Sequence, residues 1–297
     1  MAKARSTANL GQMDKAVSLI RKAIADASSL PPDSRNLLFA RATAAGFDCD
    51  QGKLKACRQG YIRVLARQRS ALGDTDPDTE VSMLGLAYAD TNLAHFADAQ
   101  DLYKNVVRRY RKQYGEGNSR TLNAINGLAV SYLQSKHYAE AEALLRPALK
   151  QAEKVFGPNH PITLSMSSNL GGAIRQQPGR NAEALPYFRH ALKAAQELSG
   201  EDSERTVYGH INLALLLRDA GDLAGAERQA RTAVAHSTRA LGANSPYRAM
   251  VLDKLASILI RERKYREAHT MLDKAWHIFA THKSFGPDHP EVQAVIG

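Results

Sequence analysis

A short turn signal centred on glycine recurs along this chain at an almost constant interval, and this period constrains the fold more than any other feature. Successive signals are 42, 42, 43, 42 and 44 residues apart. Their glycines are Gly73, Gly115, Gly157, Gly200, Gly242 and Gly286. A second marker, a small residue three positions after an apolar or aromatic one in most periods, recurs every 41 to 43 residues. Its small residues are Ala16, Cys57, Ala99, Ala141, Ala184, Ala226 and Ala268. Two markers with one period predict an array of repeats over almost the whole chain.

Each period has the pattern of two helices. Apolar residues follow a three-four rhythm from Thr121 to Leu133 and, after a Gln-Ser-Lys-His turn, again from Tyr138 to Leu149. The periodic glycine follows the second helix, where a residue that tolerates positive φ is favoured. A proline often follows within about four residues and suits the first turn of the next helix. The sequence therefore predicts an all-α fold of helical hairpins.

Several short segments carry a family resemblance. They are Gly127 to Ala129, Tyr138 to Glu142, Asn169 to Gly171, Asn212 to Ala214, and the linkers Gly157 to Pro161 and Gly286 to Pro290. With the 42-residue period, they make the chain resemble a tetratricopeptide repeat array, and more narrowly the variety typical of kinesin light chains and their bacterial relatives. The resemblance implies a right-handed α-solenoid of helix-turn-helix repeats, and we expect a bacterial protein. The first repeats match less well, since Cys57 replaces the usual alanine.

The repeat phase predicts one solenoid domain over residues 1–297. It comprises a partial repeat at 1–30, repeats at about 32–73, 78–115, 119–157, 161–200, 204–242 and 246–286, and a terminal stub at 288–297. Neither end carries the polar capping helix that solenoids normally need for solubility. We therefore expect a domain from a longer protein; the alternative is a native C-terminus whose last short helix is frayed.

Composition limits the compartment and the partners. Forty Lys and Arg against 30 Asp and Glu give a net charge of +10, which favours acidic partners. The two cysteines, Cys49 and Cys57, fit neither a disulfide-dense scaffold nor a CxxC motif, and Cys57 holds a buried small-residue slot, so we expect free thiols in a reducing compartment. The alternative is a disulfide across the hairpin turn that the two cysteines flank. No apolar stretch has the length of a signal peptide or a membrane span. These features predict a soluble cytoplasmic protein with no membrane partner.

The first helix of each hairpin is expected to line a concave groove, so candidate contact positions follow from the repeat phase. The phase predicts an amphipathic groove with a basic lip, and it also places Ser168, Ile211 and Asp219 there. The predicted peptide-binding residues are Tyr88, Asn92, Asn126, Asn169, Arg175, Asn212, Arg218, Asp253 and Arg261.

Two side-chain types in this set point to peptide binding. Arg175 and Arg218 occupy equivalent slots and are predicted to hold ligand carboxylates through bidentate bonds; the alternative is solvated helix ends. Asn169 and Asn212 resemble the family's groove asparagines that bind a ligand's main chain; the alternative is asparagines that bridge neighbouring hairpins. This asparagine slot is interrupted in the other repeats by Gly85, Gly127 and Lys254.

Other candidate chemistry is weaker. The basic run from Arg108 to Lys112 is expected to be a solvated helix end, since its bases occupy adjacent positions and only Tyr110 and Tyr114 accompany them. No metal-binding or catalytic motif occurs in the sequence, so we expect neither a metal nor a cofactor nor enzymatic activity. Trp276 is expected to lie in the core.

The sequence thus predicts a non-catalytic scaffold that binds an acidic peptide segment with apolar anchors in the groove. The main alternative is a regulatory or sensor module of a larger bacterial kinase or transcription regulator, which works by intramolecular docking. A basic solenoid that binds nucleic acid is the third and weakest interpretation.

Overall fold

The computed structural model describes residues 10–26 and 30–281, and this part of the chain consists of helices joined by short turns, without a β-strand. The helices are α1 (Leu10–Asp26), α2 (Arg35–Asp50), α3 (Leu54–Ala71), α4 (Pro77–Asn92), α5 (Phe96–Tyr114), α6 (Ser119–Gln134), α7 (Tyr138–Phe156), α8 (Pro161–Arg175), α9 (Asn181–Ser199), α10 (Glu204–Asp219), α11 (Leu223–Leu241), α12 (Pro246–Arg261) and α13 (Tyr265–Thr281).

The chain divides into two compact units, Met1–Val155 and Phe156–Gly297. Consecutive helices pack against one another from α1 to α6 and from α8 to α13, and the first helices of neighbouring hairpins also touch, α2 with α4, α4 with α6 and α10 with α12. This packing confirms the predicted all-α repeat of helical hairpins. That residues 1–297 form one domain stays a prediction. The expected partial repeat at 1–30 lies partly outside the described residues, and the stub at 288–297 lies entirely outside them.

The two periodic markers have steric causes. Gly115 and Gly242 follow the last turns of α5 and α11 with φ of 84° and 90°, a conformation that favours glycine. The small residues from Cys57 onward are at most 2% exposed, because they sit where helices approach most closely. These positions are Cys57, Ala99, Ala141, Ala184, Ala226 and Ala268. The periodic sequence signals therefore mark the turns and the closest helix contacts.

Capping fixes where the first helices begin. Pro77, Pro161 and Pro246 stand in the first turns of α4, α8 and α12, as predicted. The preceding residue caps the helix in each case; for example, the Asp76 carboxylate accepts a hydrogen bond from the Asp78 N–H at 2.9 Å.

Three expectations are wrong in the structure. Cys49 and Cys57 form a disulfide, because the turn between α2 and α3 brings their Cα atoms to 5.1 Å, within the range that a disulfide spans. Trp276 is 37% exposed on α13 rather than in the core. Ile211 is 6% exposed and belongs to the core of the second unit, so it does not face a groove.

Among the described residues, no helix is both long and apolar enough to cross a lipid bilayer.

Candidate functional site

The predicted arginines of the second unit meet across its first helices. The Arg175 Nη2 on α8 lies 3.1 Å from the Asp219 Oδ2 at the end of α10. Arg218 donates to the other oxygen of Asp219 through Nε at 3.0 Å and Nη2 at 2.8 Å. Its Nη1 also donates to the Ser257 hydroxyl on α12 at 3.2 Å. These contacts link α8, α10 and α12 through one polar cluster, the arginine cluster (Arg175, Arg218, Asp219 and Ser257).

The arginine cluster retains a positive charge. Partial burial opposes ionisation of Asp219, but hydrogen bonds from Arg218 and Arg175 hold the pKa of this carboxyl below its usual range. Two guanidinium groups therefore share one carboxylate. The repeat phase placed Asp219 in the groove with Arg218, but it did not predict that both arginines share this carboxylate.

The remaining predicted residues of α12 differ in their surroundings. The Asp253 carboxylate accepts a hydrogen bond from Lys254 Nζ at 2.9 Å, so the lysine in the asparagine slot of this hairpin is paired within α12. Arg261 is exposed and makes no ion pair within residues 30–280. The Arg261 guanidinium is therefore available on α12, the helix that also carries Ser257 of the arginine cluster.

A cavity of about 150 Å³ opens in the second unit beside Asn212. Its walls are Ser168, Tyr187, Phe188, Ala191, Gly209 and Asn212. Gly209 helps to keep it open, and a Cβ there would meet the Leu192 Cδ1 at 3.1 Å. Asn212 is exposed and forms no hydrogen bond within the described chain, so its amide can both donate to and accept from a ligand. Asn169 on α8 is half-buried.

The first unit has a different first-helix face. Tyr88 is 49% exposed, and the Asn92 Nδ2 donates to the Tyr88 carbonyl at 2.8 Å, so part of that amide is used within α4. Asn126 on α6 is half-buried. The structure therefore leaves Tyr88 as the large exposed aromatic group of this set.

Two buried tyrosines explain why glycine interrupts the asparagine slot in the first unit. A Cβ at Gly127 would lie 2.5 Å from the Tyr103 Cε1, and a Cβ at Gly85 would overlap the Tyr61 ring. Any side chain at either glycine would require the phenol ring to move. The signal for this pairing is present in the sequence as a tyrosine 24 residues before each glycine.

No group of three or more His, Cys, Asp or Glu side chains in the described part of the chain is arranged to hold a metal ion.

The second unit offers three kinds of group to a ligand. They are the amide of Asn212, the apolar wall of the cavity beside it, and the cationic groups of the arginine cluster and Arg261.

Comparison with known proteins places this geometry in context. A family model described as "Tetratricopeptide repeat" matches residues 120–197, 166–235 and 204–276. No curated protein sequence matches the chain.

Solved structures resemble the fold at low sequence identity. The crystal structure of BtubC (BKLC) from P. vanneervenii is 19% identical, with a TM-score of 0.67 over 79% of this chain and 94% of that chain. A putative kinesin light chain from Podosopora anserina with nearly identical TPR-like repeats is 20% identical, with a TM-score of 0.63 over 74% and 98%. A Rap protein complexed with Competence and Sporulation Factor is 16% identical, with a TM-score of 0.63 over 91% and 72%.

Proposed function

The chain belongs to the tetratricopeptide repeat family, and from that premise we propose that it is a non-catalytic scaffold that binds an acidic peptide segment. The ligand lies across α8, α10 and α12, with an apolar anchor in the cavity beside Asn212. The observation that carries the proposal is this cavity of about 150 Å³ with an uncommitted amide at its mouth. The protein needs no cofactor or metal for this role.

The cavity size defines the anchor. A cavity of roughly 150 Å³ with apolar walls accommodates a molecule of the size of benzene. One leucine, isoleucine or phenylalanine side chain of a ligand therefore fills it, and burial of such a side chain contributes about 1.5–3 kcal/mol. Asn212 then binds the main chain beside the anchor.

The cationic groups define the flanking residues. Asn212 and Arg218 are six positions apart on α10, a rise of about 9 Å at about 1.5 Å per residue. An extended peptide covers this distance in about three residues at roughly 3.3 Å each. We therefore expect Asp or Glu two to four residues from the apolar anchor, held by the surplus charge of the arginine cluster or by Arg261.

A displayed library of random 12-residue peptides tests the proposal. We expect selection on the full chain to enrich an apolar residue followed two to four positions later by Asp or Glu. The substitution Ala191→Leu fills the cavity and should weaken the best peptide about tenfold or more, since each 1.4 kcal/mol is a factor of ten. Arg261→Glu should weaken it as well, and Arg228→Glu on α11 is the control for an exposed arginine outside the site.

Arg261 is the better charge-reversal site, because glutamate at Arg175 or Arg218 would place a second carboxylate against Asp219 and destabilise the contacts between the helices. Equal binding by wild type and Ala191→Leu, or selection of peptides without acidic residues, would contradict the proposal. The alternative of a regulatory module of a larger bacterial protein predicts that a segment of the same polypeptide competes with the selected peptide.

We also propose that the protein works in the cytoplasm. The Cys49–Cys57 disulfide weakens the sequence argument for that placement, because such bonds persist mainly in oxidising compartments. Thiol alkylation in intact cells, followed by mass spectrometry, tests it: a fully closed pair in cells would place the chain in an oxidising compartment instead.

A further inference from the structure

A second surface, on the layer of second helices in the first unit, carries four basic side chains around an open depression of about 660 Å³. The basic groups are Lys104, Arg108, Arg111 and Lys112 of α5. Val107 of α5, Leu128 of α6 and Leu144 of α7 line the rest of it. We name this surface the basic depression.

The four bases form one stripe. Their positions follow the spacing i, i+4, i+7 and i+8, which places them on one face of α5 over about 12 Å. Arg109 lies off the stripe, with its Nη2 3.5 Å from Asp74, and Tyr110 is buried. Helical periodicity therefore places three of the four bases of the run on one face with Lys104, while Arg109 points away from that face.

The stripe is only half neutralised by the chain itself. Lys104 lies 3.9 Å from Asp101, and Arg111 lies 3.0 Å from Glu116. Arg108 and Lys112 have no acidic partner among the described residues, and none of the residues that line the basic depression is acidic. This surface therefore attracts an anionic ligand.

The wall chemistry narrows the ligand further. Val107 and Leu128 are each 4% exposed, and Leu144 packs against the hydrophobic cluster that contains Leu128. The floor of the basic depression is therefore aliphatic. Single-stranded nucleic acid is bound by stacking of its bases on aromatic side chains, and none of the residues that line the basic depression is aromatic. A ligand that carries aliphatic side chains flanked by carboxylates matches both the aliphatic floor and the stripe of basic groups.

We propose that the basic depression is a second docking site, and that it takes an acidic amphipathic helix from a partner protein, with aliphatic anchors on the floor and glutamate or aspartate along the stripe. Such a helix presents its anchors three and four residues apart, the mode in which helices occupy grooves. The site lies in the first unit and is independent of the proposed peptide site in the second.

The test uses a fluorescein-labelled 14-residue peptide with leucines at i, i+3, i+4 and i+7 and glutamates elsewhere. A scrambled peptide of identical composition and a 20-nucleotide single-stranded DNA are the comparison probes. Fluorescence anisotropy with the full chain should show the amphipathic peptide binding at least tenfold more tightly than either. The double substitution Arg108→Glu/Lys112→Glu should abolish this preference.

Lys150→Glu/Lys154→Glu is the matched control, because these lysines have the same four-residue spacing on α7, are exposed, and lie outside the basic depression. It should leave the amphipathic peptide's affinity within about twofold of wild type, as should Ala191→Leu in the second unit. The proposal is overturned if the scrambled peptide binds equally well, if the DNA binds more tightly, or if the control pair weakens binding as much as the Arg108/Lys112 pair. Circular dichroism of each variant establishes that it is folded.

Discussion

The Tyr103 ring occupies the space that a side chain at Gly127 would need. A Cβ there would lie 2.5 Å from Cε1, 2.8 Å from Cζ and 3.0 Å from Oη of that ring. Tyr103 is only 6% exposed, and burial raises the pKa of its hydroxyl, which also interacts with Thr91. The ring is held on several sides and cannot simply turn away. We therefore expect Gly127→Ala to destabilise the first unit.

Two opposing contributions set the magnitude. Alanine in a helix interior is favoured over glycine by about 0.8–1 kcal/mol. Inserting a methyl group into a filled core typically costs about 1–3 kcal/mol. Gly172 in α8 separates these contributions, because nothing lies within 4 Å of a Cβ placed there. We expect Gly172→Ala to stabilise by about 1 kcal/mol, so the two substitutions should differ by about 1–3 kcal/mol, which is the packing cost alone.

Urea unfolding followed by circular dichroism measures the two free energies, and hydrogen exchange in α5 and α6 assigns the effect to the first unit, since repeat arrays need not unfold in one step. Tyr103→Leu in the Gly127→Ala background removes the obstructing ring atoms. A double-mutant cycle should then give a favourable coupling of about 1 kcal/mol or more. The reasoning is refuted if Gly127→Ala stabilises as much as Gly172→Ala, or if the cycle shows no coupling.

Three further predictions concern the buried carboxyl of Glu80, the Cys49–Cys57 disulfide and the Asn118 helix cap, all in the first unit. Glu80 is 1% exposed with neither carboxylate oxygen hydrogen-bonded, and burial raises its pKa above the ordinary 4.5 while Arg109 opposes the rise. The protonated side chain is the form that fits the buried site, and its contribution to stability is fully present below about pH 4.5. The free energy of unfolding should therefore fall as pH rises through the folded-state pKa of Glu80. Glu80→Gln should remove that fall in denaturation series between pH 4 and 8. Reduction of the Cys49–Cys57 disulfide, which closes a loop with a sequence separation of 8, should lower stability by about 2.5 kcal/mol on loop entropy, and Cys49→Ser should show no response to the reductant. Asn118→Ala removes the side chain that accepts from the Arg120 N–H at 2.9 Å and should cost about 1 kcal/mol in the same urea assay; an unchanged midpoint would show that the cap contributes nothing.

The helical hairpins could be predicted from the sequence because their markers have local causes. A glycine with positive φ, a proline in a first turn and a small residue at a close helix contact each leave a signal at one position. The 42-residue period then multiplies that signal. The family resemblance singled out Asn212 and the repeat phase singled out Arg261; both are exposed in the structure, and their binding of a peptide stays a prediction.

Side-chain pairing could not be predicted in the same way. Arg175 and Asp219 are 44 residues apart, and their contact depends on the rotamers of two long side chains and on how α8 and α10 approach. The phase that placed Ile211 toward a groove failed by one position, because consecutive helical positions differ by about 100° and its neighbour Asn212 takes the exposed side. The disulfide was predicted wrongly because Cys57 occupies the buried small-residue position of its hairpin, which favoured a free thiol, whereas in the structure Cys57 is both buried and bonded to Cys49.

The first-helix faces of the two units differ at a pair of positions that lie 24 residues apart in the sequence. In the first unit the pair is tyrosine and glycine, and the phenol ring fills the slot. In the second unit the corresponding pair is Phe188 and Asn212, and both line the open cavity. A side chain at either glycine would overlap the tyrosine ring, so an asparagine at this position requires another residue or another ring placement at the tyrosine position. Phe188 and Asn212 meet that requirement and line one cavity, so in our proposal the amide that binds the ligand main chain and the space for its anchor lie at the same point on α10.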